Sequence, residues 1–322
     1  MKSKVMGRRA IKIADGIVSY VVLSVIVLSI AFAGYALWDS NQIHQAADKS
    51  NYAAYKPAAI DEGKSFRELQ ALNAEVFAWL SVYGTNIDYP VTQAQDNMKY
   101  VNTNAEGLYS LSGSIFLDCS NSKHFSDFNS ILYGHHMAKK VMFGEIERFS
   151  DRAVFDSHRY GNLYFDGKDH GIEFFAFVHT DAYDGTVFTP NVQGGDRQAY
   201  LDGLLAKAIN KRDIEITIED RIILLSTCSS DSTNGRDILV GRITDETYDD
   251  PTINTTTSGG KKQTGPDDQC CTVKPIPIWT VLLALLLAIR LIVYIPATYH
   301  RWRQHKKRQE PESEILWIGH ER

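Results

Sequence analysis

Two long apolar segments stand near the ends of the chain, and between them the apolar positions fall in short runs of strand type. Gly16 to Trp38 carries no charge, and Ile276 to Ile295 is interrupted only by Arg290, whose stem can run along the apolar surface toward the basic flank. Each is long enough to cross a bilayer. Lys2, Lys4, Arg8, Arg9 and Lys12 precede the first segment, and Arg301, Arg303, Lys306, Lys307 and Arg308 follow the second. The bias of positive charge toward the cytoplasm therefore predicts two cytoplasmic termini, with everything between the spans outside the cell. Ala31-Phe32-Ala33 would suit a signal peptidase, but the apolar run continues through Tyr35 to Trp38, so an uncleaved anchor is expected.

Between the spans, residues 39–64 are polar and Ala-rich, a stalk with some helix. Phe66, Leu69 and Leu72 have helical spacing within Asp61 to Ala74. Val76–Val82, Ile87–Val91, Gly113–Leu117 and Ser130–Tyr133 read as strands, with Pro90 marking a strand end or an edge. Val141-Met142-Phe143 with Ile146 and Phe149 is spaced for a short amphipathic helix. Asp166-Gly167 joins Asn162–Phe165 and Ile172–His179 as a hairpin. Tyr200, Leu201, Leu204, Leu205 and Ala208 line one face of a helix over Asp196 to Ile209, ahead of a strand from Asp213 to Ile218. From Thr244 to Val273 the composition turns to Thr, Ser, Gly, Asp and Lys, as in a flexible tether.

The predicted organisation is thus a basic tail (1–15), a signal-anchor (16–38), the stalk (39–64), a folded domain (65–243), a linker (244–273), a second transmembrane helix (274–298) and a basic tail (299–322). By pattern alone the folded domain is mixed and dominated by short strands.

Charge and cysteine content narrow the chemistry. A chain of 322 residues with a formal net charge of -5 has no overall basic surface for nucleic acid. Its four cysteines lack metal-binding spacing of the CxxC or HExxH type, and no metal or other cofactor is expected. Cys270 and Cys271 are adjacent, which disfavours a bond between them. Cys119 either pairs with Cys228 or is a free thiol inside the fold, and the buried thiol is the expectation.

The candidate chemistry lies in Ile222 to Arg236. An apolar run ends at Cys228, a polar stretch closes in Asn234-Gly235, and the apolar pattern resumes at Ile238 to Val240. A strand, loop and strand would return Arg236 beside Cys228, pairing a nucleophilic thiol with a guanidinium able to stabilise an oxyanion. The thiol also needs a proton partner, and a strand ending in Gly134-His135-His136-Met137 offers one.

These residues resemble the sortases, and class B sortases in particular. Leu225-Ser226-Thr227-Cys228 with Arg236 is similar to that family's active-site strand, and Tyr133-Gly134-His135-His136-Met137 to its histidine motif. Thr85-Asn86-Ile87-Asp88-Tyr89-Pro90-Val91, then Asp96-Asn97 and Gly113-Ser114-Ile115-Phe116-Leu117-Asp118, extend the match over Phe66 to Ile243.

The resemblance implies a closed eight-stranded β-barrel with N-terminal helices and a helix before the cysteine strand. It assigns Cys228 as nucleophile, His135 as general acid and base, and Arg236 as the oxyanion or substrate stabiliser. Asp118, Asp231 and Asp237 are lesser candidates for orienting His135, as in a catalytic triad. The implied reaction is transpeptidation on a Gram-positive cell surface. A secreted protein with an LPxTG- or NPxTx-like sorting signal is cleaved through a thioester, then passed to an amine of peptidoglycan or to a pilin lysine.

The second span departs from typical class B sortases and looks more like pilin-polymerising ones. Lys262-Gln263-Thr264-Gly265 lacks the start of a sorting motif, so processing of this chain by itself is not expected. A cysteine endopeptidase using the same residues and a tethered, non-catalytic barrel are the two alternatives.

Overall fold

The strand that ends at Cys228 has two apolar faces, and both are covered. On β8 (Arg221–Cys228), Ile223 and Leu225 join one buried cluster, while Ile222 and Leu224 join another. Side chains alternate across a strand, so the first set faces the inside of a barrel and the second faces outward.

The computed structural model describes residues 2–57 and 64–251. It separates into two units, one holding the N-terminal residues to Leu37, the other beginning at Trp38 and containing the folded domain. The second apolar segment, Cys270, Cys271 and Lys262-Gln263-Thr264-Gly265 lie outside the described residues, as does the linker beyond residue 251. Helix α1 (Lys2–Ala46) contains the first apolar segment. Among the described residues one helix is long and apolar enough to cross a membrane.

The remaining strands are β1 (Val76–Val82), β2 (Asp88–Thr92), β3 (Ile115–Leu117), β4 (Asn129–Tyr133), β5 (Tyr160–Phe165), β6 (Lys168–Asp181), β7 (Ala208–Lys211) and β9 (Gly235–Thr244). Eight of the nine close into a ring in the order β5-β1-β2-β3-β4-β8-β9-β6, sealed by pairing of β6 with β5. β7 is the ninth, added beside the second half of β6. Helices α2 (Lys64–Leu72), α3 (Arg152–Ser157) and α4 (Asp196–Ala206) decorate the barrel. Tyr200, Leu201 and Leu204 of α4 cover the outer cluster around Ile131, Val178, Leu224 and Val240.

Local chemistry explains most element ends. Asp166 and Gly167 both have positive φ, +49° and +81°, as a two-residue hairpin of primed type requires. Pro90 lies within β2, opposite Trp79 of β1, but β3 pairs only from Val91 onward, so the missing N–H leaves no gap in that ladder.

Three expectations fail. Val141 to Phe149 is not one helix: Met142 has φ +52°, its N–H is held by the Tyr89 hydroxyl, and only Ile146–Ser150 forms a 3-10 turn. Asp213 to Ile218 is not a strand, because β7 takes the free edge of β6, while Ile214 and Ile216 pack against the outer cluster. The tether beyond Thr244 starts as ordered chain: Gly171 N–H donates to Glu246 O at 3.0 Å, and Tyr248 stacks on Tyr160 with ring centres 4.0 Å apart.

The polar stretch before the domain is also packed. Ala47 and Tyr52 are buried, and the Tyr89 hydroxyl donates to Ala47 O at 3.0 Å while accepting from Met142 N–H at 3.1 Å. One buried hydroxyl therefore joins the N-terminal segment to the loop that follows the histidine pair. Tyr89→Phe leaves both buried backbone groups without a partner and is expected to lower stability by about 1–3 kcal/mol. A urea midpoint equal to that of the unaltered protein would refute this.

The ring is tied at its closing seam by a charge. Glu173 of β6 is buried, accepts from Arg159 Nε and Nη2 at 2.9 and 2.6 Å, and accepts from Arg242 Nη2 at 2.6 Å. Arg159 immediately precedes β5 and Arg242 lies on β9, so one carboxylate spans all three strands.

Candidate active site

Strand register brings the predicted residues to one end of the barrel. Cys228 and Arg236 are direct antiparallel partners across β8 and β9. β4 runs parallel to β8, with Tyr133 opposite Ser226 and Gly134 N–H donating to Ser226 O at 3.2 Å. His135 follows Tyr133 by two residues, just past the end of β4. Ile131 and Tyr133 on β4, Ile222 and Leu224 on β8, and Ile238 and Val240 on β9 all belong to the outer cluster. Cys228 and Arg236 continue the rows of β8 and β9 on that face.

The turn between β8 and β9 is tight. Ser229 N–H donates to Gly235 O at 2.9 Å, and a Cβ on Gly235 would lie 2.2 Å from Ser232 Oγ. A side chain at 235 would require the Ser232 hydroxyl to move aside. The Arg236 guanidinium is half-buried and donates through Nη1 to Gly235 O at 2.9 Å. Cys228 is an exposed free thiol.

His135 is fixed by a backbone group. Its Nε2 lies 2.8 Å from Val101 O. A carbonyl only accepts, so Nε2 carries the hydrogen, and in the neutral ring Nδ1 is the nitrogen able to take a proton. His136 turns away: it bridges to Met142, and its Nε2 is 3.2 Å from Glu147, within ion-pair range but without an aligned hydrogen bond. Glu147 also accepts from Ser230 Oγ at 2.7 Å, tying the loop after Cys228 to the histidine side of the site.

None of the three aspartates is bonded to His135. Asp118 accepts from Tyr133 Oη at 3.1 Å and from Asn97 Nδ2 at 2.8 Å, and Asp231 from Ser229 Oγ. Asp237 is buried behind Thr227 and lies 2.9 Å from His179 Nδ1. Burial raises its pKa above the ordinary carboxylate value, although His179 pulls the other way. The motif residues Asn97 and Asp118 thus brace β3 and β4. Tyr133, which extends toward the site, stacks on Phe188 at 6.5 Å.

Cys119 is an exposed free thiol, contrary to the expectation of burial. Asn97 Oδ1 accepts from its backbone N–H at 2.8 Å and holds it just beyond β3, outside the sheet. In register it falls opposite Ser130, five residues from His135 along β4 and two strands from β8. Strand geometry puts it on the order of 15–20 Å from Cys228, well beyond disulfide reach.

The Val101 carbonyl was not foreseen as a site group, since a backbone oxygen leaves no side-chain signature. A cavity of about 380 Å³ lies between residues 185–193 and α4, lined by Thr189, Val192 and Tyr200 among others, and contains none of the three candidates.

No protein-family model matches the chain. It is 31% identical over 182 residues to sortase B of Staphylococcus aureus, a stretch covering 55% of this chain and 74% of that one. A Streptococcus pyogenes class B sortase involved in pilus biogenesis superposes with a TM-score of 0.52 at 41% identity, covering 56% of this chain and 98% of that structure. A mutant form of Clostridium perfringens sortase B gives a TM-score of 0.57 at 32% identity, covering 62% and 97%.

Proposed function

Because this chain belongs to the class B sortases, a family of cysteine transpeptidases, we propose that Cys228, His135 and Arg236 carry its reaction and that its acceptor is a lysine amine of a pilin-type protein. The observation that supports the residue roles is the register match of Cys228 with Arg236, with His135 on the neighbouring strand end. Support for the acceptor comes from the 41% identity to a sortase involved in pilus biogenesis, against 31% to the Staphylococcus aureus sortase B.

In this reading the Cys228 thiolate attacks the carbonyl of the sorting-signal threonine, and Arg236 faces the oxyanion that develops. His135 gives a proton to the departing amine as the peptide bond breaks, leaving a thioester on Cys228. The acceptor lysine then attacks the thioester, His135 takes its proton, and the thiolate leaves as the isopeptide bond forms. The apolar part of α1 anchors the enzyme in the cell membrane, a second pass follows through residues 274–298, and the barrel works outside.

Mass spectrometry tests this directly. The enzyme is incubated with Leu-Pro-x-Thr-Gly and Asn-Pro-x-Thr-x peptides, alone, with a lysine-bearing peptide, or with a peptidoglycan stem peptide. An acyl adduct on Cys228 that resolves onto the lysine is the expected result. Resolution onto the stem peptide alone overturns the acceptor assignment, and no adduct from either donor overturns the sorting-signal assignment.

A further inference from the structure

Beyond the last backbone bond between β4 and β8, a carboxylate joins the two chains that carry the proposed base and nucleophile. That last bond runs from Gly134 N–H to Ser226 O at 3.2 Å. Past it, one chain goes on to His135 and His136, and the other to Thr227, Cys228 and the turn that follows. Glu147 reaches both. Its Oε2 accepts from Ser230 Oγ at 2.7 Å and lies 3.2 Å from His136 Nε2. Ser230 is two residues after the cysteine, and His136 is next to the candidate base.

The carboxylate stands on a rigid mount. Ile146 and Phe149, before and after Glu147 in its 3-10 turn, are fully buried in the same cluster as Ile223 and Leu225. Ser150 Oγ donates to Glu147 O at 2.7 Å, and buried Asn210 Nδ2 donates to the Phe149 and Ser150 carbonyls at 2.8 Å each. What it holds is the opposite, since residues 230–234 are all exposed. That turn closes on itself through Ser229 and Gly235. To the rest of the chain, among the described residues, Ala182 N–H fastens its far side by donating to Asn234 O at 2.8 Å, and Ser230 fastens its near side through Glu147.

We propose that Glu147 is a positioning residue that holds the chain leaving Cys228 against the chain leaving His135, a role that rests on the assignment of Cys228 and His135 above. It sets how thiolate and imidazole meet the scissile bond during acylation. A partly exposed carboxylate adds little to folding stability. Yet a misplacement on the order of 1 Å between reacting groups can slow a reaction about 100-fold. Glu147 therefore matters to the reaction far more than to the fold.

The test follows thioester formation by the full chain in detergent, with a sorting-signal peptide as donor and intact-mass analysis of quenched samples. The variants are Glu147→Ala, Ser230→Ala, the two combined, and Glu147→Gln, whose side-chain oxygen still accepts from Ser230.

Glu147→Ala is expected to lower the acylation rate constant at saturating peptide about tenfold, with the half-saturating peptide concentration and the thermal midpoint unchanged. Ser230→Ala breaks the same link and should match it. The double variant should be no slower than either alone, and Glu147→Gln should regain most of the lost rate. A loss of less than about threefold in Glu147→Ala overturns the proposal. Losses that multiply in the double variant overturn it too, because the two side chains would then act on different things. A loss carried by the half-saturating concentration gives the turn to donor binding, and a lowered thermal midpoint, or a Gln variant as slow as the Ala one, reduces Glu147 to a structural charge; each equally overturns it. If the unaltered enzyme forms no thioester, or Cys228→Ala still forms one, the assignment of Cys228 and His135 fails first, and the positioning role with it.

Discussion

Replacing Cys228 by alanine is expected to lower turnover of a sorting-signal peptide by at least about 10⁴-fold and to remove every acyl-enzyme adduct, since a methyl group offers no nucleophile. The informative partner is Cys119→Ala. Both thiols are exposed and free, so reagent access alone does not separate them. What separates them is company: Cys228 faces Arg236 across the ladder, whereas Cys119 sits beyond β3, held through its backbone by Asn97. Cys119→Ala should therefore keep full turnover. Arg236→Ala should retain slow acylation, reduced about 10²-fold by loss of an oxyanion donor. Peptide turnover followed by chromatography, with intact-mass analysis of each variant, decides the matter. An adduct persisting in Cys228→Ala and vanishing in Cys119→Ala would reverse the assignment.

Glu173→Gln is expected to cost about 2–4 kcal/mol of folding stability, because two guanidiniums lose the carboxylate that spans the closing seam. This lies at and below the low end of the usual range of about 3–5 kcal/mol for a broken buried ion pair, since Arg159 and Arg242 keep some contact with water. The pH dependence has a definite sign. Burial alone would raise the pKa of Glu173, but the bonds from Arg159 and Arg242 more than offset it, and the group ends below its ordinary value of 4.5. Its stabilising contribution is therefore fully present above about pH 4.5 and drains away as pH falls through the depressed value. Unfolding curves should show the two proteins far apart at neutral pH and converging in acid. A gap that stays constant from pH 7 to pH 3 would mean that the carboxylate's charge is not what holds the seam.

How much was legible in advance depended on whether the signal sat in side chains or in contacts. The strands around Cys228 were readable because their apolar runs are bounded by turn residues, and the hairpin at Asp166-Gly167 because only certain residues accept positive φ on both sides of such a turn. The barrel's closure came from resemblance, since the readable hairpin gives β5 with β6 but no periodicity records that β5 also pairs with the distant β1. The failures share one physical origin. Val141 to Phe149 has helical spacing, yet the Tyr89 hydroxyl and the bridge from His136 to Met142 hold its first part in another conformation. The edge sought by Asp213 to Ile218 was already occupied by β7. For Cys119, the average burial of free thiols was a poor guide where one Asn97 side chain holds the chain outside the sheet. Of the candidate site, the pairing of Cys228 with Arg236 was legible as a strand-loop-strand return, and His135 as a residue just past a strand end. The Val101 carbonyl that orients His135 was not, because every residue carries such a group. The endopeptidase and non-catalytic barrel alternatives give way to membership in a transpeptidase family.

The parallel pairing of β4 with β8 has a consequence in time. Residues 129–133 meet residues 222–226 only after most of the domain has been made, and β9 must still add Gly235 to Thr244 before Arg236 stands by Cys228. Such distant pairings form late and slowly compared with local hairpins. A chain emerging N-terminus first thus exposes His135 long before its partners exist, and Cys228 before its arginine. If the proposed roles hold, a chain truncated anywhere before residue 236 should form no thioester, however well its earlier strands fold, because Arg236 joins Cys228 only when β9 is added.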